Sequence, residues 1–114
     1  SKMAQSVATT QIVDLAATVT NVTAGVARVT KVIAMNTSAA TAFVQVFDLA
    51  AADVTLGTTV PKYQILLAAT TGFVELDFGS EADSFLIRMS AASTTTTGGS
   101  TGSAAGVRLQ TWID

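Results

Sequence analysis

The chain has 114 residues and a mass of 11.6 kDa, which is the size of one domain. Only 12% of the residues are charged and the formal net charge is −2, which argues against binding to nucleic acid or an acidic membrane through a basic patch. The chain contains no His and no Cys, which excludes catalysis by those residues, thiolate or imidazole metal sites, and disulfide bonds. We therefore expect no enzyme activity and no cofactor.

The composition favours a surface of small side chains, since the chain contains 20 Ala and 19 Thr. Such a surface carries little charge to keep copies apart, so it suits burial between subunits. No run of apolar residues reaches the roughly 18 that a membrane helix needs. The polar residues Gln5, Ser6 and Thr9 predict that the N-terminus is not a secretion signal.

The first 25 residues favour strands without defining them clearly. Gln11–Leu15 and Ala17–Thr23 are rich in β-branched residues, although Val13–Ala17 is also compatible with a short helix. We assign residues 1–25 to an N-terminal segment, a strand or arm for partner contact, and residues 26–114 to a β-sandwich domain.

The middle of the chain predicts two strands joined by a turn. Arg28–Met35 and Thr41–Leu49 alternate in the period of a strand, and Asn36–Ala40 between them has the composition of a turn. This arrangement predicts an antiparallel hairpin or two near neighbours. Ala50–Pro61 then reads as a loop with a possible short edge strand.

The second half predicts four further strands: Tyr63–Leu67, Phe73–Phe78, Ser84–Ser90 and Val107–Ile113. In the second of these, Val74, Leu76 and Phe78 share one face and are expected in the core. Ala91–Gly106 reads as a loop of Ser, Thr and Gly. The total is seven or eight strands with little helix, which predicts an all-β fold, an antiparallel β-sandwich of the jelly-roll type.

Four acidic residues crowd one region: Glu75, Asp77, Glu81 and Asp83. They are compatible with a hard cation such as Ca²⁺ or with an acid/base pair, but the spacing does not match a calcium loop. A solvated strand face with an acidic turn is the favoured interpretation, and cation binding stays open. We predict no catalytic, cofactor-binding or metal-binding residue.

Three arginines lie on strand-like segments: Arg28, Arg88 and Arg108. We expect each to pair within the fold, with candidate partners Asp14, Asp48 and Asp77. Trp112 is the only Trp, and two roles are left open for it: covering the core or anchoring a subunit contact.

Several short segments together carry a family resemblance. They are Val29–Ser38 with its Asn-Thr-Ser end, Phe43–Asp48, the Gly-Thr-Thr-Val-Pro link within Leu56–Pro61, Gln64–Leu67, and Phe73–Gly79 after a turn that ends in Gly72. In this pattern the chain resembles small virion structural proteins of tailed bacteriophages, over roughly Val26 to Ile113.

The resemblance implies a non-enzymatic capsid cement or decoration protein that stabilises contacts between major capsid subunits. It implies a homotrimer on the capsid surface of the virion, assembled in the host cytoplasm, with the major capsid protein as partner. The N-terminal segment and the Thr-rich loop are the expected contact regions. Two alternatives stay open: a tail, baseplate or fibre component, and a β-sandwich module that binds carbohydrate or a cell surface.

Overall fold

The computed structural model describes residues 9–70 and 72–114, and this part of the chain forms nine β-strands. The strands are β1 (Thr9–Leu15), β2 (Thr20–Asn21), β3 (Ala27–Asn36), β4 (Ala42–Asp48), β5 (Tyr63–Leu67), β6 (Gly72–Asp77), β7 (Asp83–Phe85), β8 (Met89–Thr94) and β9 (Val107–Ile113). Single turns of 3-10 helix lie at Ala51–Asp53 and Gly79–Glu81. The described residues contain no α-helix, which confirms the all-β prediction.

The strands form two antiparallel sheets that pack face to face. One sheet has the order β1-β9-β3-β6, with β7 also paired to β3, and the other has the order β2-β8-β4-β5. β6 and β7 pair with successive stretches of the same edge of β3, so they act as one interrupted strand. Counted in this way, eight strands make two four-stranded sheets, and the predicted jelly-roll sandwich is confirmed.

The strands before and after Asn36 do not pair, so the predicted hairpin is wrong. β3 lies in one sheet and β4 in the other. The buried side chain of Asn36 directs this crossing: its Nδ2 donates to the carbonyls of Ala40, Leu67 and Ala68, at 2.8, 3.4 and 3.2 Å. Its Oδ1 accepts from the backbone N–H and the hydroxyl of Ser38, at 2.9 and 2.7 Å. These hydrogen bonds satisfy backbone carbonyl and N–H groups. In a hairpin, the backbone of a paired strand would satisfy such groups instead.

The predicted strand Ser84–Ser90 is interrupted. β7 ends at Phe85, and the chain bends before β8 begins at Met89 in the other sheet. The predicted loop Ala91–Gly106 begins later than expected, because β8 continues to Thr94. All six residues of β8 are buried, since this strand lies between β2 and β4. Its small Ser and Ala side chains fit that central position.

The core lies between the two sheets and consists mainly of aliphatic residues. Its most deeply buried large members include Val29, Val44, Leu67, Phe85 and Leu109. A bulge between Val29 and Lys31 shifts the pairing of β3 with β9, and both Val29 and Val32 are fully buried on either side of it.

The N-terminal segment contributes to both sheets from residue 9 onward. β1 pairs with β9, and β2 pairs with β8. The short-helix alternative at Val13–Ala17 is wrong, because Val13, Asp14 and Leu15 belong to β1. Residues 1–8 lie outside the described residues, and partner contact by this segment stays a prediction.

Candidate interaction surface

An apolar groove opens along one side of the sandwich, where β5 and β6 form neighbouring edges of the two sheets. Its volume is about 470 Å³. It is lined by Tyr63, Gln64, Ile65, Leu66, Val74, Leu76 and Phe78. Val74, Leu76 and Phe78 are half-buried and pack against the core, which confirms the predicted inward face of this strand. The groove is therefore a place where the core itself reaches the surface.

Tyr63 lines the groove and carries a buried hydroxyl without a hydrogen-bond partner among the described residues. Burial, assisted by the nearby negative charge of Asp83, raises the pKa of this phenol well above its ordinary value. Tyr63 therefore stays neutral under physiological conditions.

A second apolar surface projects from one end of the sandwich, and we call it the apolar tip. It consists of Val26, Leu86 and Ile87, whose side chains are 74%, 75% and 52% exposed. Val26 directly precedes β3, and Leu86 directly follows β7. The adjacent residues Ala27 and Phe85 pair with each other. Val26 and Leu86 are therefore neighbours across the two strands. Three large aliphatic side chains are thus presented together to solvent.

The tip is held in place by the carboxylate of Asp48, at the end of β4. This carboxylate accepts hydrogen bonds from three successive backbone N–H groups: those of Leu86 at 3.0 Å, Ile87 at 2.9 Å and Arg88 at 3.1 Å. Burial alone would raise the pKa of Asp48, but the backbone donors and the charge of Lys62 outweigh it, so the pKa of Asp48 lies below its ordinary value. Asp48 therefore stays ionised at neutral pH, and the bend is held by the three hydrogen bonds that its carboxylate accepts.

The loop that carries Val26 is tied to the same bend. The Arg88 guanidinium donates to the carbonyl of Ala24 at 2.8 Å. The hydroxyl of Thr23 donates to the carbonyl of Gly25 at 2.7 Å and accepts from the backbone N–H of Met89 at 3.1 Å. The tip is thus a pre-organised projection rather than a loose loop, and such a surface loses little conformational entropy when it binds.

The sequence pattern did not reveal the tip, although it contained a signal for it. Phe85, Leu86 and Ile87 are three consecutive apolar residues, and a strand cannot turn all three toward one core. The prediction of one continuous strand over Ser84–Ser90 does not account for this conflict. The structure resolves it by burying Phe85 and exposing the other two.

The four acidic residues do not converge on a common point. Glu75 pairs with Lys31 at 3.7 Å, and Asp83 pairs with Lys62 at 3.2 Å. Asp77 accepts from the backbone N–H of Gly79, which starts the 3-10 turn that contains Glu81. Within residues 9–70 and 72–114, no group of three His, Cys, Asp or Glu residues is placed to hold a metal ion.

The three arginines behave differently from one another. Arg108 pairs with Asp14 at 2.9 Å, one of the predicted partners, and both side chains are exposed. Arg88 bonds to a backbone carbonyl instead of an aspartate. Arg28 is exposed on β3 opposite Ser84. Asp48 and Asp77, the other candidate partners, accept backbone N–H groups.

Trp112 lies on the outer face of its sheet, on the same side of β9 as Arg108. Its ring is half-buried, and the ammonium group of Lys31 lies 5.0 Å from the ring centre. The alternative in which Trp112 covers the core is therefore wrong, and its role in a subunit contact stays a prediction.

The Thr-rich loop after β8 is fastened to the sheet beside it. The amide of the buried Gln45 donates to Thr94 and to the carbonyl of Gly99, both at 3.0 Å. Gln64 accepts from Thr97 at 3.1 Å and from the N–H of Gly98 at 2.7 Å. The loop thus has a defined position next to β5, and its predicted contact with a partner stays a prediction.

The helical turns within residues 9–70 and 72–114 have neither the length nor the hydrophobicity of a membrane-spanning helix. Comparisons with models of known protein families, with curated proteins and with solved structures give no match to this chain.

Proposed function

We propose that this chain is a non-enzymatic structural protein of a tailed-phage virion, and specifically a capsid cement or decoration protein. The observation that carries the proposal is the presence of two unpartnered apolar surfaces, the groove and the tip, on a small domain with few charges. Exposed apolar surfaces on compact domains mark sites of interaction with other proteins. The resemblance of the sequence to small virion proteins implies that this interaction takes place on a virus particle.

The fold is compatible with this role. Jelly rolls occur in viral capsid domains and in lectins, so the architecture supports more than one function. The groove and tip are apolar, whereas a carbohydrate site needs convergent polar groups and an exposed aromatic platform. Phe73, at 57% exposure, is the one aromatic among the large hydrophobic residues exposed in the described part of the chain. This observation favours a protein partner over a sugar.

The proposed mechanism is mechanical. Each copy binds where subunits of the major capsid protein meet. Because many copies bind the same closed shell, their individual contributions to the stability of the capsid add up. A homotrimer would match a threefold meeting point of capsid subunits. The protein would assemble in the host cytoplasm and remain on the capsid surface of the virion.

A pelleting experiment with empty, expanded capsids tests the proposal. The capsids come from the phage whose genome encodes the chain and are prepared without it; capsids that already carry their full complement are the matched control. We expect binding that saturates at a fixed ratio to the major capsid protein, absent with the control, and a higher temperature of capsid disruption. No binding to the bare capsids would contradict the proposal.

Two parallel binding experiments, with purified tails and with a glycan array, separate the alternatives. Binding to purified tails instead of capsids would replace the cement role with a tail, baseplate or fibre role. Specific binding to a glycan array, without binding to capsids or tails, would favour the carbohydrate-binding module.

A further inference from the structure

The outer edge of β6 exposes backbone groups with the spacing that another strand requires. The N–H of Phe78, which directly follows β6, donates to the carbonyl of Thr30 in β3 at 2.8 Å. Because the direction of backbone hydrogen bonding alternates along an antiparallel strand, every second residue back from Phe78 bonds to β3 and the residues between them point their N–H and C=O groups away from β3. β6 is the last strand of its sheet, and within the described residues no strand pairs with its outer edge. The outward-pointing backbone groups belong to Phe73, Glu75 and Asp77.

This free edge borders the apolar groove. The inward-facing side chains of β6, Val74 and Leu76, are half-buried and line the groove, and Ile65 of β5 lines it too. Successive side chains of a strand point to opposite faces of its sheet, so a strand added beside β6 would direct every second side chain toward the groove. The groove volume of about 470 Å³ lies within the range of sites that enclose a ligand.

The free edge and the groove together favour one kind of occupant, an extended segment of chain. A small apolar ligand would fill the groove but leave the backbone groups of β6 to water. An amphipathic helix satisfies its own backbone groups and therefore gains nothing from the edge. An extended segment uses both features, because its backbone bonds to the edge while its alternate side chains enter the groove.

The charges beside β6 add a further requirement. Four of the six charged side chains in this region neutralise one another in two ion pairs, Lys31 with Glu75 and Lys62 with Asp83. The other two, Asp77 and Glu81, are exposed and form no salt bridge among the described residues. The region therefore has a surplus of negative charge. A basic side chain on the added segment, where the segment passes Asp77, would complement it.

We propose that a partner protein extends the sheet at β6 with a strand of its own. The segment that it contributes has aliphatic side chains at alternating positions, which enter the groove, and a basic side chain beside Asp77. Its backbone bonds to the outward N–H and C=O groups of Phe73, Glu75 and Asp77. The identification of the partner as the major capsid protein rests on the proposed function, whereas the chemistry of the segment follows from the edge and the groove.

One substitution removes an edge donor without touching the bonds between β6 and β3. Glu75→Pro eliminates the N–H of residue 75, which points away from β3, and edge strands tolerate Pro where the N–H faces solvent. Glu75→Gln is the matched control. Both variants lose the ion pair with Lys31, but only the control keeps the backbone N–H.

The probe is a blocked synthetic peptide of about nine residues, with Val at alternating positions and Lys or Thr between them. The control peptide has the same sequence with methylated backbone nitrogens, so it keeps the side chains but lacks the N–H donors. Amide hydrogen exchange of the unmodified chain is followed by NMR. At saturating peptide we expect exchange of the N–H groups of Phe73, Glu75 and Asp77 to slow at least about tenfold.

The variants and the control peptide show whether the backbone of the edge carries the binding. We expect Glu75→Pro to bind the probe at least about tenfold more weakly than the unmodified chain, and Glu75→Gln to bind within about threefold of it. The methylated peptide should leave the exchange of the three N–H groups unchanged.

Two results would overturn the inference. One is unchanged exchange of the three N–H groups at about 5 mM probe, the range of weak binding. The other is equal binding by the methylated peptide and by Glu75→Pro, which would make the groove a site for apolar groups alone. The peptide experiment needs no capsid, so the two proposals fail separately. Slowed exchange without pelleting on bare capsids would refute only the proposed function, and pelleting without slowed exchange would refute only the added strand.

Discussion

The carboxylate of Asp48 accepts a hydrogen bond from the backbone N–H of Ile87 at 2.9 Å, across 39 residues of sequence. The same carboxylate also binds the N–H groups of Leu86 and Arg88. The side chain of Ile87 is nevertheless 52% exposed, so the backbone of the tip is fixed while its apolar side chains face outward. Asp48, at the end of β4, thus helps to fix the geometry of a candidate binding surface.

Asp48→Asn should destabilise the protein by about 2 kcal/mol, because hydrogen bonds to a charged acceptor are the strong ones. The amide keeps only one oxygen that can accept from the three N–H groups. Urea unfolding measures the change. The matched control is Asp53→Asn, at an exposed residue of the first 3-10 turn, which should leave stability unchanged. Equal effects of the two substitutions would contradict the role given to Asp48.

The stabilisation by Asp48 should depend on pH in a defined direction. Its pKa in the folded protein lies below the ordinary value of 3.8, so the folded state favours the ionised form. The contribution is therefore complete above the ordinary pKa and is lost as the pH falls through the lowered pKa. The stability difference between the unmodified chain and Asp48→Asn should be constant above about pH 5 and should shrink below pH 4. A difference that grows on acidification would contradict this assignment.

Tyr63→Phe should leave stability at pH 7 unchanged or slightly higher, because the hydroxyl is buried without a partner. In alkali the unfolded chain ionises this phenol near its ordinary pKa of 10.0, whereas the raised pKa keeps it neutral in the folded protein. Stability should therefore fall above pH 10 in the unmodified chain and fall less in Tyr63→Phe.

The titration of Tyr63 can be followed directly, since it is the only Tyr in the chain. The ultraviolet absorbance of the phenolate should appear only together with unfolding. Ionisation near pH 10 in a chain that is still folded would contradict the buried position of the hydroxyl.

Asn36→Ala should cost about 3 kcal/mol, because the substitution leaves several buried carbonyl and N–H groups of the turn without partners. Asn21→Ala is the matched control: the Asn21 side chain accepts one exposed hydrogen bond from the N–H of Ala51. It should cost about 1 kcal/mol or less. Thermal and urea unfolding of both variants provide the comparison, and a similar loss in each would contradict the role of Asn36 in the sheet crossing.

The alternation of apolar and polar residues was sufficient to predict most of the strands and the sandwich, but not the division of Ser84–Ser90 between two sheets. Val74, Leu76 and Phe78 face the core as expected, because the opposite face carries the charged residues Glu75 and Asp77. Alternation alone did not show which strands pair. The two strands that flank Asn36 look like a hairpin in sequence, but long-range bonds from Asn36 to Leu67 and Ala68 send them to different sheets.

The interaction surfaces were harder to predict, because they depend on residues that are distant in sequence. The groove exists only because β5 and β6 are edges of different sheets that come together. The tip depends on Asp48, which interrupts a stretch that otherwise has the pattern of a strand. A carboxylate that accepts backbone N–H groups 38 to 40 residues away leaves no local signal in the sequence.

The proposed role as a trimeric assembly protein of the virion is tested most directly by the mass of the chain in solution. Light scattering from about 10 μM to about 1 mM covers the range in which weak contacts form. We expect a mass that rises with concentration toward three copies, 3 × 11.6 kDa. A constant mass of 11.6 kDa over the whole range would contradict it.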